Sequence, residues 1–538
     1  MIVQRSHRDG LGRRCRPSVS CLRAVLEALG GPLDPVVAPV AVMWDGKGTL
    51  IPNRSTEPLD CTLHTEEGDE RSWRQEPGTD FEIGPLPLGY HDLDTGRGTT
   101  RIISAPLRAP LRFERAWGVF MPLYALRTER DWGTGDLTDL EALIGWTKGM
   151  GGEFVATLPL FAAFLDEPLD PSPYAPVSRL FWNELYIDPL RTPEFRPEWI
   201  PELEELRRAE LVDFRRAYSL KRRVLEQMAA TMSDRRRSKL ERFTHERPHL
   251  MEYARFRGHE LFHLYAQFVA DEQLRSLDGL NLDLPVGVHP SGFDVERFGV
   301  FASAVSAGAP PDGLFAGGQN WGFPPLHPLK SRTDGHRYFS DCIRTIASRS
   351  SVIRIDHVMG LHRLYWVPDG HEATDGAYVR YPADELYAVL TLEAHRHGTT
   401  IVGEDLGTVP RSVRRAMRKH GLLRSYVLQF EGDRAPRRDD AAYLSTHDTP
   451  TFAAYSKDLR GAVADLAAGD ASLLVVALED LWGEEQPQNV PGATQDEYPS
   501  FRRRAAKTLE EFRDDAAIKD VLAMVDELRA RRKEVVPA

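Results

Sequence analysis

Three carboxylates in this 538-residue chain stand at or just beyond the ends of short apolar runs. Asp356 ends the run SVIRID, Glu404 follows TTIVG, and Asp448 ends AAYLSTHD. His357 follows Asp356 directly, and His447 directly precedes Asp448. A single acidic residue after a strand is more often a helix cap or a loop partner. Three such residues, two of them beside histidine, instead predict a catalytic set.

The reaction that requires such a set is retaining cleavage of a glycosidic bond. One carboxylate attacks the anomeric carbon, and a second, about 5 to 5.5 Å away, first donates and then accepts a proton. A third carboxylate can bind sugar hydroxyls as the ring flattens. Arg354 lies two residues before Asp356 and so on the same face of the strand, where its charge would keep the nucleophile ionised. Asp405 should point away from Glu404, because successive side chains of a strand alternate.

The elements that would position these groups are a series of apolar runs, most of them separated by helical stretches. Such runs predict parallel strands covered on both faces. Their number favours an α/β fold, a (β/α)₈ TIM-type barrel, in which reacting groups project from the carboxyl ends of the strands. The predicted strands are WGVFMPLYAL, EFVATLPLF, LDLPVGVH, SVIRID, TTIVGED, SYVLQF, AAYLSTHD and SLLVVALED.

The pattern of residue types along the chain predicts two parts that precede the barrel, and the barrel itself as the third. Residues 19–29 carry leucine and valine at helical spacing and are followed by Gly30 and Gly31, which suits a helix end. Short alternating runs broken by Gly, Pro and Asp then predict a small β-sandwich. The predicted organisation is a helical segment at 1–33, a β-sandwich-like domain at 34–110, and a catalytic barrel at 111–538 with a charged helical insertion around 195–257 and C-terminal helices.

Composition excludes several classes of function. The formal net charge of −12 disfavours a nucleic-acid partner. Four cysteines without paired spacing are too sparse for a disulfide framework and predict a cytoplasmic location. No run of 18 apolar residues occurs, so no membrane span is expected.

One motif points to a different chemistry. The stretch GHELFHLYAQF contains His259, Glu260 and His263 in the H-E-x-x-H spacing, which on a helix would place two imidazoles on one face, as a zinc peptidase requires. Neither the G-x-x-H continuation nor a clear glutamate-bearing partner helix follows. The apolar positions between 261 and 269 predict an ordinary buried stripe, so a structural role is favoured and no metal is expected.

Five longer motifs resemble one enzyme family. They are DPSPYAPVSRLFWNELYIDP, SAGAPPDGLFAGGQNWGFPPLHP, VIRIDHVMGLHRLYWVP, IVGEDLGTVP and LSTHDTPT, in the family's order across roughly residues 115 to 510. Together they are similar to the 4-α-glucanotransferases called amylomaltases or disproportionating enzymes, glycoside hydrolase family seventy-seven. VSCLRAVLEALG and PLGYHDL further resemble the N-terminal region of the longer bacterial branch.

The resemblance implies a role for each matched position. It implies Asp356 as nucleophile, Glu404 as acid/base and Asp448 as transition-state stabiliser. It also implies substrate-binding residues, with Tyr174 stacking on the donor sugar and the others lining subsites: Tyr174, Asp294, Asp312, Trp321, Arg354, His357 and His447. Two positions depart from the family pattern, Thr449 where Asn or Leu is more usual, and Ser500–Phe501 where Asn–Trp is expected.

The implied activity is transfer of an α-1,4-glucan segment from a donor maltodextrin to the 4-hydroxyl of an acceptor glucan or glucose, without metal or organic cofactor, by a monomer or homodimer. Transfer and hydrolysis share their first half, so the carboxylates alone leave an α-amylase-type hydrolase open. A non-catalytic glucan-binding protein is the remaining alternative, and the intact carboxylates disfavour it.

Overall fold

The structure is a computed structural model and describes residues 2–31, 35–313, 315–432 and 434–531. The chain divides into two compact units. Unit one comprises Met1–Arg112, Val286–Ser348 and Ile355–Arg424, and unit two comprises Phe113–Pro285, Arg349–Arg354 and Ser425–Ala538. The predicted domain boundary at residues 33 and 34 lies outside the described residues.

The strands are β1 His7–Arg8, β2 Arg14–Cys15, β3 Val40–Trp44, β4 Thr49–Ile51, β5 Leu59–His64, β6 Glu70–Gln75, β7 Phe81–Ile83, β8 Gly89–Asp94, β9 Thr99–Ala105, β10 Ala116–Phe120, β11 Phe154–Ala156, β12 Leu280–Leu284, β13 Val305–Ala309, β14 Gln319–Asn320, β15 Val352–Ile355, β16 Arg363–Pro368, β17 Ala377–Arg380, β18 Thr400–Gly403, β19 Leu423–Val427, β20 Asp440–Tyr443 and β21 Leu473–Ala477.

The α-helices are α1 Val19–Leu29, α2 Leu137–Gly149, α3 Glu204–Arg208, α4 Phe214–Ala230, α5 Asp234–Glu246, α6 Leu250–Arg257, α7 Glu260–Leu274, α8 Phe293–Arg297, α9 Pro328–Thr333, α10 Arg337–Ala347, α11 Ala383–His397, α12 Arg411–His420, α13 Leu428–Glu431, α14 Phe452–Tyr455, α15 Leu459–Ala468, α16 Leu478–Leu481, α17 Leu509–Asp514 and α18 Ala516–Arg531.

Eight strands form a closed barrel in the order β10-β11-β12-β15-β18-β19-β20-β21. Each of them overlaps one of the eight apolar runs named from the sequence, so the predicted (β/α)₈ barrel is confirmed. β10 pairs in parallel with β11 on one side and with β21 on the other. Nearly every residue of these strands is buried, as expected where both faces of a parallel strand are covered.

The N-terminal part of unit one contains a five-stranded sheet, β3-β9-β8-β5-β6, and a two-stranded sheet, β4-β7. Apolar residues of both sheets, among them Met43, Ile51, Phe81 and Ile102, share one core. Helix α1 begins after Ser18, whose side chain accepts a hydrogen bond from the Cys21 amide, and ends at Gly30. This is the helix that the sequence predicts. A further sheet of unit one has the order β14-β13-β16-β17.

Helices α3 to α6 of unit two lie in the charged segment around 195–257, in which the sequence predicts a helical insertion. A zinc-peptidase site would require both histidines of the H-E-x-x-H motif on one face of a helix. The structure does not place them so. Helix α7 begins at Glu260, and His259 precedes it in the left-handed conformation, exposed to solvent. His263 is buried, and its Nδ1 lies 2.9 Å from Glu184 Oε1. The predicted buried stripe holds except at Leu261, which is 40% exposed.

Among the described residues, no helix combines the length and the apolar character needed to cross a bilayer.

Candidate active site

The predicted site residues fall into two groups, which we call the unit-one group and the unit-two group. The unit-one group comprises Asp294, Asp312, Trp321, Asp356, His357 and Glu404, and the unit-two group comprises Tyr174, Arg354, His447 and Asp448.

In the unit-one group, Asp356 and Glu404 each stand directly after a barrel strand. Asp356 follows β15, and Glu404 follows β18. The backbone amides of Glu404 and Val358 bond the carbonyls of Ile355 and Glu404, at 3.0 and 3.1 Å. The backbone amide of Val286 lies 3.5 Å from Asp356 Oδ2. Backbone pairing therefore fixes where both carboxylates leave the barrel.

Backbone amides hold both oxygens of the Glu404 carboxylate. The His357 amide donates to Oε2 at 3.0 Å, and the Leu406 amide donates to Oε1 at 2.7 Å. Glu404 is 9% exposed, so few orientations other than this one are open to it. Asp405 points the other way, as alternation predicts, and its Oδ2 accepts bonds from Arg414 and Arg424 at 2.8 and 2.7 Å.

His357 adopts a backbone conformation that non-glycine residues rarely take. Its φ of 47° lies in the left-handed region, and strain of this kind concentrates at functional sites. This turn is what aims the His357 amide at Glu404. Burial, with a smaller contribution from Arg363, lowers the pKa of the His357 imidazole to about 4, so the ring is neutral near pH 7.

Trp321 is a half-buried aromatic beside His357. Its ring stacks on Phe323 with centroids 5.8 Å apart, and it meets the His357 ring edge-on at 5.1 Å. The indole N–H donates to Gln319 at 2.7 Å, which fixes the ring's orientation. A Cβ at Gly287 would lie 2.5 Å from the Phe323 ring, so a glycine is needed there for this packing. The result is a rigid, partly exposed aromatic surface.

The other two acids of the unit-one group have different surroundings. Asp312 is partly exposed in the loop after β13, where its Oδ1 accepts the Phe315 amide at 2.7 Å. Asp294 is completely buried on α8, and the Tyr338 hydroxyl donates to its Oδ2 at 2.6 Å. That burial favours a structural role for Asp294.

In the unit-two group, Asp448 lies five residues beyond the end of β20 and is held by side chains. His447 Nε2 lies 3.1 Å from one of its oxygens, and the Asn489 amide donates to the other at 2.6 Å. Desolvation alone would raise the pKa of Asp448, but His447, the Asn489 hydrogen bond and the Arg354 charge overcome it and set the pKa at about 2. Asp448 is therefore ionised throughout the physiological range.

Three rings pack together beside Asp448. Tyr174 and His447 are stacked with centroids 5.0 Å apart and planes 10° from parallel. Phe501 lies 6.0 Å from the Tyr174 ring and 6.4 Å from the His447 ring. Phe501 has a φ of 60°, again in the left-handed region. It occupies the position at which the sequence departs from the family pattern.

Asp283 connects Tyr174 with Arg354. It lies in β12, is 4% exposed, accepts the Tyr174 hydroxyl at 2.6 Å and binds Arg354 Nη1 with both oxygens at 2.6 and 2.8 Å. Arg354 therefore has an acidic partner, Asp283, that the sequence did not suggest for it.

Two residues that bind members of the unit-two group were not predicted from the sequence: Asp283 and Asn489. Asp283 had a signal, since it is an acid within the otherwise largely apolar predicted strand LDLPVGVH. Asn489 had none, because a lone asparagine in a loop carries no chemical pattern. Among the described residues, no group of three or more His, Cys, Asp or Glu side chains is arranged to hold a metal ion.

Comparison with known proteins gives consistent matches. A sequence profile of a family described as 4-alpha-glucanotransferase matches residues 121–260 and 257–462. A 4-alpha-glucanotransferase of Mycobacterium tuberculosis is 30% identical over 93% of this chain and 92% of its own length. One from Haemophilus influenzae is 31% identical over 70% of this chain and 66% of its own length.

Solved structures agree with these sequence matches. The amylomaltase of Corynebacterium glutamicum has a TM-score of 0.88 and 26% identity, covering 97% of this chain and 98% of its own. An amylomaltase of Streptococcus agalactiae, solved in complex with acarbose, has a TM-score of 0.67 and 18% identity over 78% of this chain and 99% of its own, which shows a shared fold.

Proposed function

Since the chain belongs to the 4-alpha-glucanotransferase family, glycoside hydrolase family seventy-seven, we propose that it acts by double displacement with Asp356, Glu404 and Asp448 as the reacting set. The enzyme is a 4-alpha-glucanotransferase. The observation that carries the residue assignment is the placement of Asp356 and Glu404 directly after barrel strands, with both Glu404 oxygens held by backbone amides. Active sites of such barrels form at the carboxyl ends of the strands.

In the first step, Asp356 attacks the anomeric carbon of the donor glucan, and Glu404 gives its proton to the oxygen of the departing segment. The bond from the anomeric carbon to that oxygen breaks, and a glycosyl ester of Asp356 forms. In the second step, Glu404 takes the proton of an acceptor's 4-hydroxyl, whose oxygen attacks the same carbon and releases Asp356. The two inversions leave the α configuration unchanged.

The other residues have supporting roles in this proposal. Asp448, ionised and fixed by His447 and Asn489, binds sugar hydroxyls of the donor and stabilises the flattened ring. Tyr174 and Trp321 offer aromatic faces to sugar rings, which suits the apolar faces of glucose. Asp312 and Arg354 bind glucan hydroxyls. His357, neutral near pH 7, serves as a hydrogen-bonding group and not as a cation.

We further propose α-1,4-glucan oligosaccharides and glucose as donors and acceptors, with no cofactor. The sparse cysteines support a reducing, cytoplasmic location. The oligomeric state, a monomer or a homodimer, stays a prediction.

Incubation with pure maltotriose tests the function. We expect a ladder of longer maltodextrins together with glucose, and almost no net gain in reducing ends, because each cleaved bond is replaced by a new one. A steady rise in reducing ends would instead identify a hydrolase. Unchanged maltotriose would contradict both. Addition of a chelator should leave the rate unaltered.

A further inference from the structure

Two adjacent carboxylates, Glu479 and Asp480, follow the last barrel strand and have no part in the mechanism above. Both lie on the short helix α16, directly after β21. They are 8% and 2% exposed. Burying two neighbouring carboxylates is costly unless each is fully hydrogen-bonded. Their hydrogen bonds lead to the two segments that surround Asp448.

Asp480 joins the two ends of the loop that carries Asp448. We call residues 445–452 the Asp448 loop. The Ser445 hydroxyl at its start donates to Asp480 Oδ2 at 2.8 Å, and the Phe452 amide at its end donates to Oδ1 at 2.9 Å. His447 and Asp448 lie between these two anchors. Within the loop, Thr449 Oγ1 accepts the Thr446 amide at 2.9 Å.

Glu479 holds the second segment that contacts Asp448. We call residues 488–503 the Asn489 loop. Glu479 Oε1 accepts hydrogen bonds from the side-chain amide of Gln488 at 2.8 Å and from the Arg503 guanidinium at 2.9 Å. It therefore binds both ends of this loop. The side-chain oxygen of Gln488 also accepts a hydrogen bond from the Tyr124 hydroxyl at 2.8 Å. Its backbone carbonyl accepts one from the Phe501 backbone amide at 2.8 Å.

The two loops meet at the proposed stabilising carboxylate. From the Asn489 loop, Asn489 donates to Asp448, and Phe501 packs against the ring of His447. We propose that Glu479 and Asp480 are positioning residues for Asp448, each fixing one of the two loops that set where its carboxylate points. This inference rests on the proposed role of Asp448 and adds the reason for its orientation.

The chemistry of Asp480 favours this role over simple support of the fold. The two donors that bind Asp480, a hydroxyl and an amide, are both neutral, and no ion pair with Asp480 occurs in the part of the chain that the structure describes. A buried carboxylate with neutral partners adds little stability, but it imposes a defined geometry on both donors.

The decisive variants are Asp480→Ala and Asp480→Asn, assayed by disproportionation of maltotriose. Loss of both anchors should lower kcat roughly ten- to a hundredfold, because small misplacements of a reacting group have effects of that size. KM should stay within about twofold, since Asp448 acts mainly in the transition state. Asparagine keeps an oxygen for the Phe452 amide and an amide for Ser445, so it should restore kcat to within roughly threefold of wild type.

Asp440→Ala is the matched control. Asp440 is also buried in unit two, at the start of β20, and it accepts bonds from Arg434 at 2.6 Å and from the Arg437 amide at 2.8 Å. It should lower the melting temperature while the folded enzyme keeps its kcat. Equal kcat losses for Asp440→Ala and Asp480→Ala, or a kcat for Asp480→Asn as low as that of the alanine variant, would overturn the proposal.

A double variant separates this inference from the proposed function. In an Asp448→Asn background, with a maltosyl fluoride donor to keep rates measurable, Asp480→Ala should cost almost nothing more, because both changes act through one group. If Asp480→Ala lowered the rate as much in this background as it does in wild type, the positioning role alone would be overturned. An Asp448→Asn enzyme as active as wild type would overturn both the role of Asp448 and the inference that rests on it.

Discussion

Glu404 of the unit-one group and Asp448 of the unit-two group are held by different kinds of partner. Both oxygens of Glu404 accept backbone amides from residues close to barrel strands. Asp448 is held by the side chains of His447 and Asn489, on a loop that is itself fixed by Asp480. The first arrangement comes from the barrel's own backbone pairing, whereas the second depends on packing among distant segments. Point substitutions can therefore dissect the second group more finely than the first.

The largest effect is expected at the nucleophile. Asp356→Asn keeps the size and shape of the side chain but removes the charge that attacks the anomeric carbon. Turnover of maltotriose should fall on the order of 10⁴-fold or more, without a matching loss of melting temperature. A variant with more than about a tenth of wild-type activity, less than one 1.4 kcal/mol step in the barrier, would refute the assignment.

Glu404→Gln should have the next largest effect. General acid–base catalysis contributes roughly 10²- to 10⁴-fold, and the amide cannot donate the required proton. With a glycosyl fluoride donor, whose leaving group needs no protonation, the first step should recover while transfer to the acceptor stays slow. Absence of this recovery would show that Glu404 is not the acid.

Asn489→Ala probes the side-chain support of the unit-two group. Its loss should lower kcat by roughly tenfold, by the misplacement argument used for Asp480. The lost hydrogen bond favours the ionised form, so the pKa of Asp448 should rise from about 2. As pH falls, the variant should then lose activity at a higher pH than wild type does. Coinciding pH–kcat profiles would mean that Asn489 does not tune Asp448.

The smallest effect is expected for Trp321→Ala. Removing the partly exposed ring takes away a surface for sugar stacking, so KM should rise roughly threefold to tenfold while kcat changes little. Truncation of a fully buried aromatic typically costs about 3 to 5 kcal/mol of stability. A large drop in melting temperature with an unchanged KM would show that Trp321 is structural.

Much of the barrel could be predicted because its signal is local. Each of the eight strands overlaps a largely apolar run of the sequence. Asp356 and Glu404 follow their strands directly, so the end of each strand and its candidate catalytic residue could be predicted together. The contacts of Asn489 with Asp448 and of Phe501 with His447 could not be predicted, because each joins residues more than 40 positions apart in the chain. The H-E-x-x-H spacing likewise could not show that the helix begins at Glu260, one residue after the first histidine.

The most direct test of the proposed mechanism is to trap its covalent intermediate. Glu404→Gln enzyme, mixed with a maltosyl fluoride donor and quenched with acid, should accumulate a glycosyl ester because it lacks the base for the second step. Digestion with trypsin should yield peptide 355–363, IDHVMGLHR, with the mass of the glycosyl group added and the label on Asp356. Label on the peptide carrying Asp448, or no label although fluoride is released in a burst, would contradict the account.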